Sequence, residues 1–412
     1  MKRVIYLILL SASLTLSKIG LSLNLPIISA LAMIINFRFS KSKFKTKKKN
    51  ILVLEKSHGI DDIKQLVKND YDKNFKFILL SRSHLKVIYN YFNNFGDPEK
   101  YKIYVNNVFK YLIKIAKIRL IISFNLMYNT ERILQNLDKK LKTKYLVCQK
   151  ECLFNDDVLN NLKKYFTKLE KFNGDHITVY NEQIKSMFIS INYTNEKKIS
   201  VVGMNRADNY FNLKNQKQEH VLVFLINPET GLINSGNSFR WNKLAEDTVN
   251  TLLDFAEKNQ NVKFFFKAKI ISDKESYDQQ KLIEKRNLKN CKVLYGGNAF
   301  KLILNSKLII AFNSTAIFEA LACKKKVLIP YFVNQYRENL EKYIINTFHS
   351  KNIFHAKSKE EIKKFLEENI YDGKNIEYKD SYEDKNLLDK FIGNSDGNSS
   401  KRLRDVIQTL IN

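Results

Sequence analysis

Cysteine is scarce in this 412-residue chain: Cys148, Cys152, Cys291 and Cys323 are all it has. Four scattered thiols cannot form the disulfide framework of a small secreted domain, and they fit a reducing compartment. Cys148 and Cys152 have no matching pair elsewhere, which argues against zinc. Glycine (12) and proline (4) are also few beside abundant Lys, Asn, Ile and Phe, a compositional bias to which we attach no function. Acidic residues are the third deficit, with 42 Asp and Glu against 70 Lys and Arg and a net charge of +28. A surface this basic suits nucleic acid, an anionic membrane or phosphorylated substrates. Zinc-finger spacing, an aromatic RNA-binding signature and a helix-turn-helix are all missing, which argues against nucleic acid. The 44% hydrophobic and 12% aromatic content excludes a disordered chain, and the length suffices for two ordinary domains.

Charge is nearly absent from Val4 to Phe37, where only Lys18 carries one. The apolar runs on either side of it are followed by Arg38, Lys41, Lys43, Lys45, Lys47, Lys48 and Lys49. The first run resembles a signal-peptide core, but no small-residue cleavage site follows and the basic cluster does. The positive-inside rule places residues 38–49 in the cytoplasm, and a shallow hairpin or in-plane anchor satisfies both basic ends. A single spanning helix and a helix packed on the body of the protein are the alternatives. We expect residues 1–37 to form the anchor or hairpin and residues 38–50 a basic linker. Residues 1–50 would then meet an anionic membrane surface on the cytoplasmic side of the plasma membrane.

Beyond the linker, short apolar bursts alternate with helical patterns. Ile51–Leu54, Phe77–Leu80, Leu120–Ser123 and Tyr145–Cys148 read as buried strands of a first α/β unit over residues 51–172. The rhythm restarts at His176–Asn181 and Ile199–Met204 and continues through Val221–Ile226, Val262–Phe266, Val293–Tyr295, Leu308–Ile310 and Val327–Ile329. These predict a second parallel sheet over residues 173–397, and residues 398–412 read as a last helix. Two α/β units with a cleft between them are the expectation.

The densest signal is Leu308–Cys323, an apolar strand, the turn Asn313-Ser314-Thr315 and a helix, followed by the apolar strand Val327–Ile329. A helix N-terminus presents unpaired amides and the positive end of its dipole, and the hydroxyls of Ser314 and Thr315 add donors, so an anion fits there. Asn-Ser-Thr is also an ordinary helix cap.

Asn313-Ser-Thr-Ala-x-x-Glu-Ala-Leu-Ala322, ahead of Val327-Leu-Ile-Pro330, resembles the donor-site signature of GT-B glycosyltransferases that build bacterial surface polysaccharides. Thr178-Val-Tyr-Asn181 with Val201-Val-Gly-Met-Asn-Arg-Ala-Asp208 is similar to the element that opens the C-terminal domain of that group. The segment after Asp396 looks like its C-terminal helix, which crosses back to the N-terminal domain. The resemblance covers about residues 176–412. It implies an α/β protein of two Rossmann-like domains facing across a cleft, with the apolar N-terminal segment associating with a membrane. It further implies a metal-independent transferase without a cofactor, its substrates a nucleotide-sugar donor and a surface-polysaccharide or lipid-linked glycan acceptor. CDP-glycerol-type glycerophosphotransferases, nucleotide-sugar epimerases and a non-catalytic polysaccharide assembly protein are rivals on the same fold.

Carried over residue by residue, the resemblance has the amides and hydroxyls of Ser314 and Thr315 bind the diphosphate, Glu319 accept hydrogen bonds from ribose hydroxyls, and Asn313 stand with them among the substrate-binding residues. A solvated helix carboxylate is the other reading of Glu319. Lys267 and Lys269 stand where relatives carry a Lys-Pro-His-Pro type loop, and a cation there would neutralise the leaving phosphate. Here Pro and His are missing. Arg206 and Asp208 either pair to hold their turn or touch substrate. On the acceptor side Glu55, Ser57, His58 and Gly59 follow the first strand, and His58 is the candidate general base, with Glu151 the alternative.

Overall fold

The computed structural model describes residues 2–35, 38–39, 49–54, 59–68, 75–149, 155–211, 218–229, 239–268, 274–370 and 377–412. The chain divides into two compact units. One comprises Met1–Glu151, Glu170–Arg206 and Asn398–Asn412, the other Cys152–Leu169 and Ala207–Gly397.

Unit 1 opens with α1 (Lys2–Ser22), α2 (Pro26–Ile35) and the two-residue strand β1 (Arg38–Phe39). The alternation then runs β2 (Lys49–Leu54), α3 (Gly59–Lys68), β3 (Phe75–Leu80), α4 (Arg82–Asn94), α5 (Pro98–Ala116), β4 (Ile118–Ser123), α6 (Asn129–Leu134) and β5 (Lys144–Cys148). The helix α7 (Asp156–Thr167) belongs to unit 2, after which β6 (His176–Val179), α8 (Glu182–Ser190) and β7 (Ile199–Val201) return to unit 1. Its sheet has the order β1-β3-β2-β4-β5-β6-β7, parallel except for β1, which pairs antiparallel with β3.

Local sequence sets these boundaries. Asp97 accepts from the amide of Lys100 and Pro98 starts α5, where its missing N–H costs nothing. Ile51 to Leu54 are buried, as expected for a central parallel strand covered on both faces.

Two expectations need correction here. His176–Val179 and Ile199–Val201 do not begin the second sheet. Leu146 pairs with His176 and Ile177 with Ile199, so the αβ crossover through α8 extends the first sheet instead. The segment around α7, expected in the first unit, sits in the second, where the Asn155 side chain donates to the carbonyl of Tyr343. The basic linker also holds a strand, β1.

Unit 2 contains β8 (His220–Phe224), α9 (Asn242–Lys258), β9 (Phe264–Ala268), α10 (Lys274–Lys285), β10 (Cys291–Tyr295), α11 (Ala299–Leu304), β11 (Ser306–Ile310), α12 (Thr315–Ala322), β12 (Val327–Pro330), β13 (Ile353–Ala356), α13 (Lys359–Ile370) and α14 (Tyr382–Ile392). Its strands form an all-parallel sheet of order β10-β9-β8-β11-β12-β13.

The last helix, α15 (Ser399–Ile411), is part of unit 1. Leu403, Ile407 and Ile411, four residues apart on one face, enter a core with Val53, Ile63 and Leu120.

The strand order reverses between β2 and β4 in unit 1 and between β8 and β11 in unit 2. In open α/β sheets the crevice beyond the C-terminal ends of such strands is where ligands bind.

The N-terminal helices α1 and α2 pack on α4 and α5. Among the described residues no helix is long and apolar enough to cross a membrane, so the single spanning helix is not found.

Candidate functional site

The Asn313-Ser314-Thr315 turn follows β11, one of the two strands at the reversal in unit 2. Ser314 is the N-cap of α12, extended at φ −134 and ψ 145, and its hydroxyl accepts from the amide of Ala316 at 3.2 Å. Asn313 has φ 44, the left-handed region that asparagine tolerates better than other side chains. Its amide is committed at both ends: Nδ2 donates to the carbonyl of Tyr343 at 2.9 Å and Oδ1 accepts from the amide of Ile345 at 3.0 Å. The Asn313 side chain is therefore a clamp on the 343–345 segment. Ser314 and Thr315 are half-buried beside it.

One turn into α12, Glu319 is 7% exposed and accepts the hydroxyl of Tyr210. Burial corrects the solvated reading of this carboxylate. Tyr210 in turn meets Phe300 of α11 edge-on, with centroids 5.0 Å apart.

Lys267 lies near the end of β9, in register with Phe224 of β8 and Leu294 of β10. Its Nζ donates to the carbonyl of Ala268 at 2.7 Å, and burial lowers its pKa. Beside the turn is a small, shallow recess walled by the ends of β8, β11 and β12 and by Ala245, Thr248 and Val249 of α9. It coincides with the reversal in strand order.

Unit 1 brings together a cluster that sequence reasoning missed in part. Asp62, in the first turn of α3, is buried. Tyr180, just beyond β6, donates its hydroxyl to Asp62 Oδ2, while the amide of Arg206 donates to Oδ1 at 3.0 Å. The Arg206 guanidinium donates to the Tyr180 hydroxyl at 3.2 Å and lies 3.7 Å from Asp62 Oδ2. Burial raises the Asp62 pKa, and Arg206 opposes that shift. The signal for Asp62 was the acidic pair Asp61-Asp62 opening the helix after the first strand. Asp208 is placed in unit 2, where it accepts from the Asn394 amide at 2.7 Å.

A second missed pair lies past β3 and β4. Arg82 forms an ion pair with the fully buried Glu131 at 2.6 Å and stacks 4.7 Å over the Tyr128 ring. Gly59 starts α3. Glu55, Ser57, His58, Glu151 and Lys269 lie outside the described residues. Among the described residues no cluster of His, Cys, Asp and Glu is arranged to hold a metal ion.

No family model matches the chain. No curated protein sequence matches it either. Solved structures do. The wall teichoic acid polymerase TagF superposes with a TM-score of 0.55 at 13% identity, covering 98% of this chain and 98% of TagF. A glycosyltransferase from Rickettsia africae gives 0.50 at 15% identity, covering 88% of this chain and 98% of the other. A UDP-GlcNAc 2-epimerase from Neisseria meningitidis, solved bound to UDP-GlcNAc, gives 0.52 at 11% identity over 87% of this chain and 100% of its own.

The chain therefore shares the α/β fold of GT-B glycosyltransferases, of UDP-GlcNAc 2-epimerases and of TagF, the group its donor-site motif resembles. Its fold neighbours are enzymes.

Proposed function

We propose that the chain is a metal-independent glycosyltransferase that moves a sugar from a nucleotide donor to a surface-polysaccharide or lipid-linked glycan acceptor, at the cytoplasmic face of the plasma membrane. The observation that carries this reading is the Ser314-capped turn at the strand-order reversal of unit 2, backed by the buried Glu319. The first-turn amides of α12 and the hydroxyls of Ser314 and Thr315 suit a diphosphate. Glu319, held by Tyr210, is the acceptor we assign to ribose hydroxyls.

In the transfer, the acceptor oxygen bonds to the anomeric carbon as the bond from that carbon to the donor's diphosphate oxygen breaks. Negative charge grows on the departing nucleotide, where the dipole of α12 and the Lys267 cation stabilise it. The acceptor's proton passes to a base, for which His58 and Glu151 remain the candidates from sequence. Arg206 is read as a positioning residue through its bonds to Asp62 and Tyr180.

A second reading, transfer of glycerophosphate from a CDP-glycerol donor, is favoured by the 98% coverage of the chain in the TagF superposition, against 88% or less in the epimerases. The same turn would hold the donor's diphosphate in either case.

Thermal shift with UDP, CDP and CMP tests the donor site. At least one should raise the melting temperature of the full chain, and Ser314→Ala should remove that shift while costing about 1 kcal/mol as a lost cap. If none of these nucleotides stabilises the protein, the donor-site reading fails.

A further inference from the structure

The two N-terminal helices are packed inside out. On α1 the buried positions are Ser13, Ser17 and Gly20, together with Leu21, while Leu9, Ala12, Leu16, Ile19 and, just past the helix, Leu23 form an exposed stripe at helical spacing. On α2 the buried residues are Ser29, Ala30, Ala32 and Met33, and Ile27, Leu31 and Ile35 point outward four residues apart. These outward aliphatics are between 37% and 59% exposed.

The interior seam is small and polar. Ser13 and Ser17 flank the His84 ring of α4 at 3.4 and 3.0 Å, and Ser29 meets the Tyr104 hydroxyl of α5 at 2.8 Å. A Cβ on Gly20 would fall 2.8 Å from Ser29 Oγ, so α1 and α2 approach as closely as they do only because residue 20 is glycine. A helix that faces water buries its large aliphatics. One that faces lipid packs its partners through small residues and turns the aliphatics outward, and α1 and α2 follow the second rule.

Their neighbour α5 continues the exposed face with Ile103, Tyr111 and Ile115, and α2 packs against it. Charge around these residues is mostly positive, with Glu99 and Asp97 confined to the start of α5. Lys18, Lys102, Lys110, Lys114 and Lys117 are exposed, and no Asp or Glu occurs before Glu55. Large outward aliphatics bordered by lysines match the interfacial layer of a bilayer with anionic headgroups.

We infer that the outward faces of α1, α2 and α5 form an in-plane docking surface for an anionic lipid bilayer, entered by the aliphatic stripes and bordered by the lysines of α5. This deepens the membrane localisation proposed above and uses no residue of the donor site. Lipid binding and nucleotide stabilisation are therefore measured separately, and either can fail alone.

The test is flotation of the full chain with vesicles of phosphatidylcholine, with and without phosphatidylglycerol. The protein should float with the anionic vesicles and release from them at high salt. Leu16→Gln with Leu31→Gln should cut binding by roughly tenfold or more, because two exposed aliphatics that would enter the bilayer are lost from the face. Lys110→Gln with Lys114→Gln should cut it about tenfold on anionic vesicles only. All four positions are exposed, so both variants should keep the wild-type melting temperature.

Should the aliphatic variant misfold, the indole introduced by Leu31→Trp should be quenched by brominated lipid. Trp241 is buried in unit 2 and sets the unquenched background. Failure of the full chain to float with anionic vesicles overturns the inference. So does a dimer that forms without lipid and dissociates in the Leu16→Gln, Leu31→Gln variant, since the occupant of the face would then be a second copy of the chain.

Discussion

His84 should make the N-terminal hairpin sensitive to acid. Its ring is fully buried between Ser13 and Ser17, and burial lowers its pKa from 6.5 to about 4. A histidine with a depressed folded value favours the fold while neutral. Its contribution is complete above the unfolded pKa of 6.5 and is lost as pH falls toward the folded value near 4. At about 1.4 kcal/mol per unit the full loss is about 3 kcal/mol, of which about 2 kcal/mol is gone by about pH 5. Urea denaturation across this range should show the slope, and His84→Asn should flatten it. Asparagine keeps hydrogen bonds for the two serines and cannot take up the proton, so its cavity cost is the same at every pH. His355, in unit 2, has a pKa lowered to about 4 by burial and contributes a slope of its own. The difference between wild type and His84→Asn isolates the share of His84. An unchanged slope in the variant, or an imidazole proton resonance for His84 that titrates above about pH 6, would refute the reasoning.

Three further substitutions separate support from ligand contact at the Asn313–Thr315 turn. Asn313→Ala should cost about 3 kcal/mol in denaturant unfolding, from two lost backbone bonds and an alanine forced to φ 44, and Asn313→Gly should cost about 1 kcal/mol less because glycine accepts that angle. Tyr210→Phe removes a donor from the buried Glu319 carboxylate and should cost about 1–3 kcal/mol, with a smaller nucleotide-induced thermal shift.

Parallel strands buried on both faces were easy to read, because runs such as Ile51–Leu54 and Leu308–Ile310 are apolar without interruption. Where one sheet ends and the next begins was not readable. β6 and β7 carry the same apolar signal as β8, and only pairing tells them apart, since Leu146 lies beside His176. The turn at Asn313-Ser314 was legible as a cap, and Ser314 is one. That the Asn313 amide spans to Tyr343 and Ile345 was not, because those partners lie 30 and 32 residues away with no local pattern. The N-terminal segment was the hardest part. Hydropathy registers how apolar α1 is but not which side faces in, and its serines form the packed seam.

The placement of buried acids bears on where chemistry happens. Four carboxylates are buried among the described residues: Asp62, Glu131, Glu319 and Asp384. Asp384 accepts from Asn352 and Tyr378 and ties segments of unit 2 together. The other three follow the strands β2, β4 and β11, which are strands at the order reversals of their sheets. Each is met by a donor that belongs to a different element: Tyr180 and Arg206 for Asp62, Arg82 for Glu131, and Tyr210 for Glu319. Stability alone does not call for this, because a well-packed apolar group does as well as a buried ion pair or better. A buried acid with a fixed donor does hold an arginine or a tyrosine in one orientation. Arg82, paired with Glu131 and with its plane on Tyr128, is oriented in that way past the C-terminal end of β3 in unit 1, as Tyr210 is in unit 2.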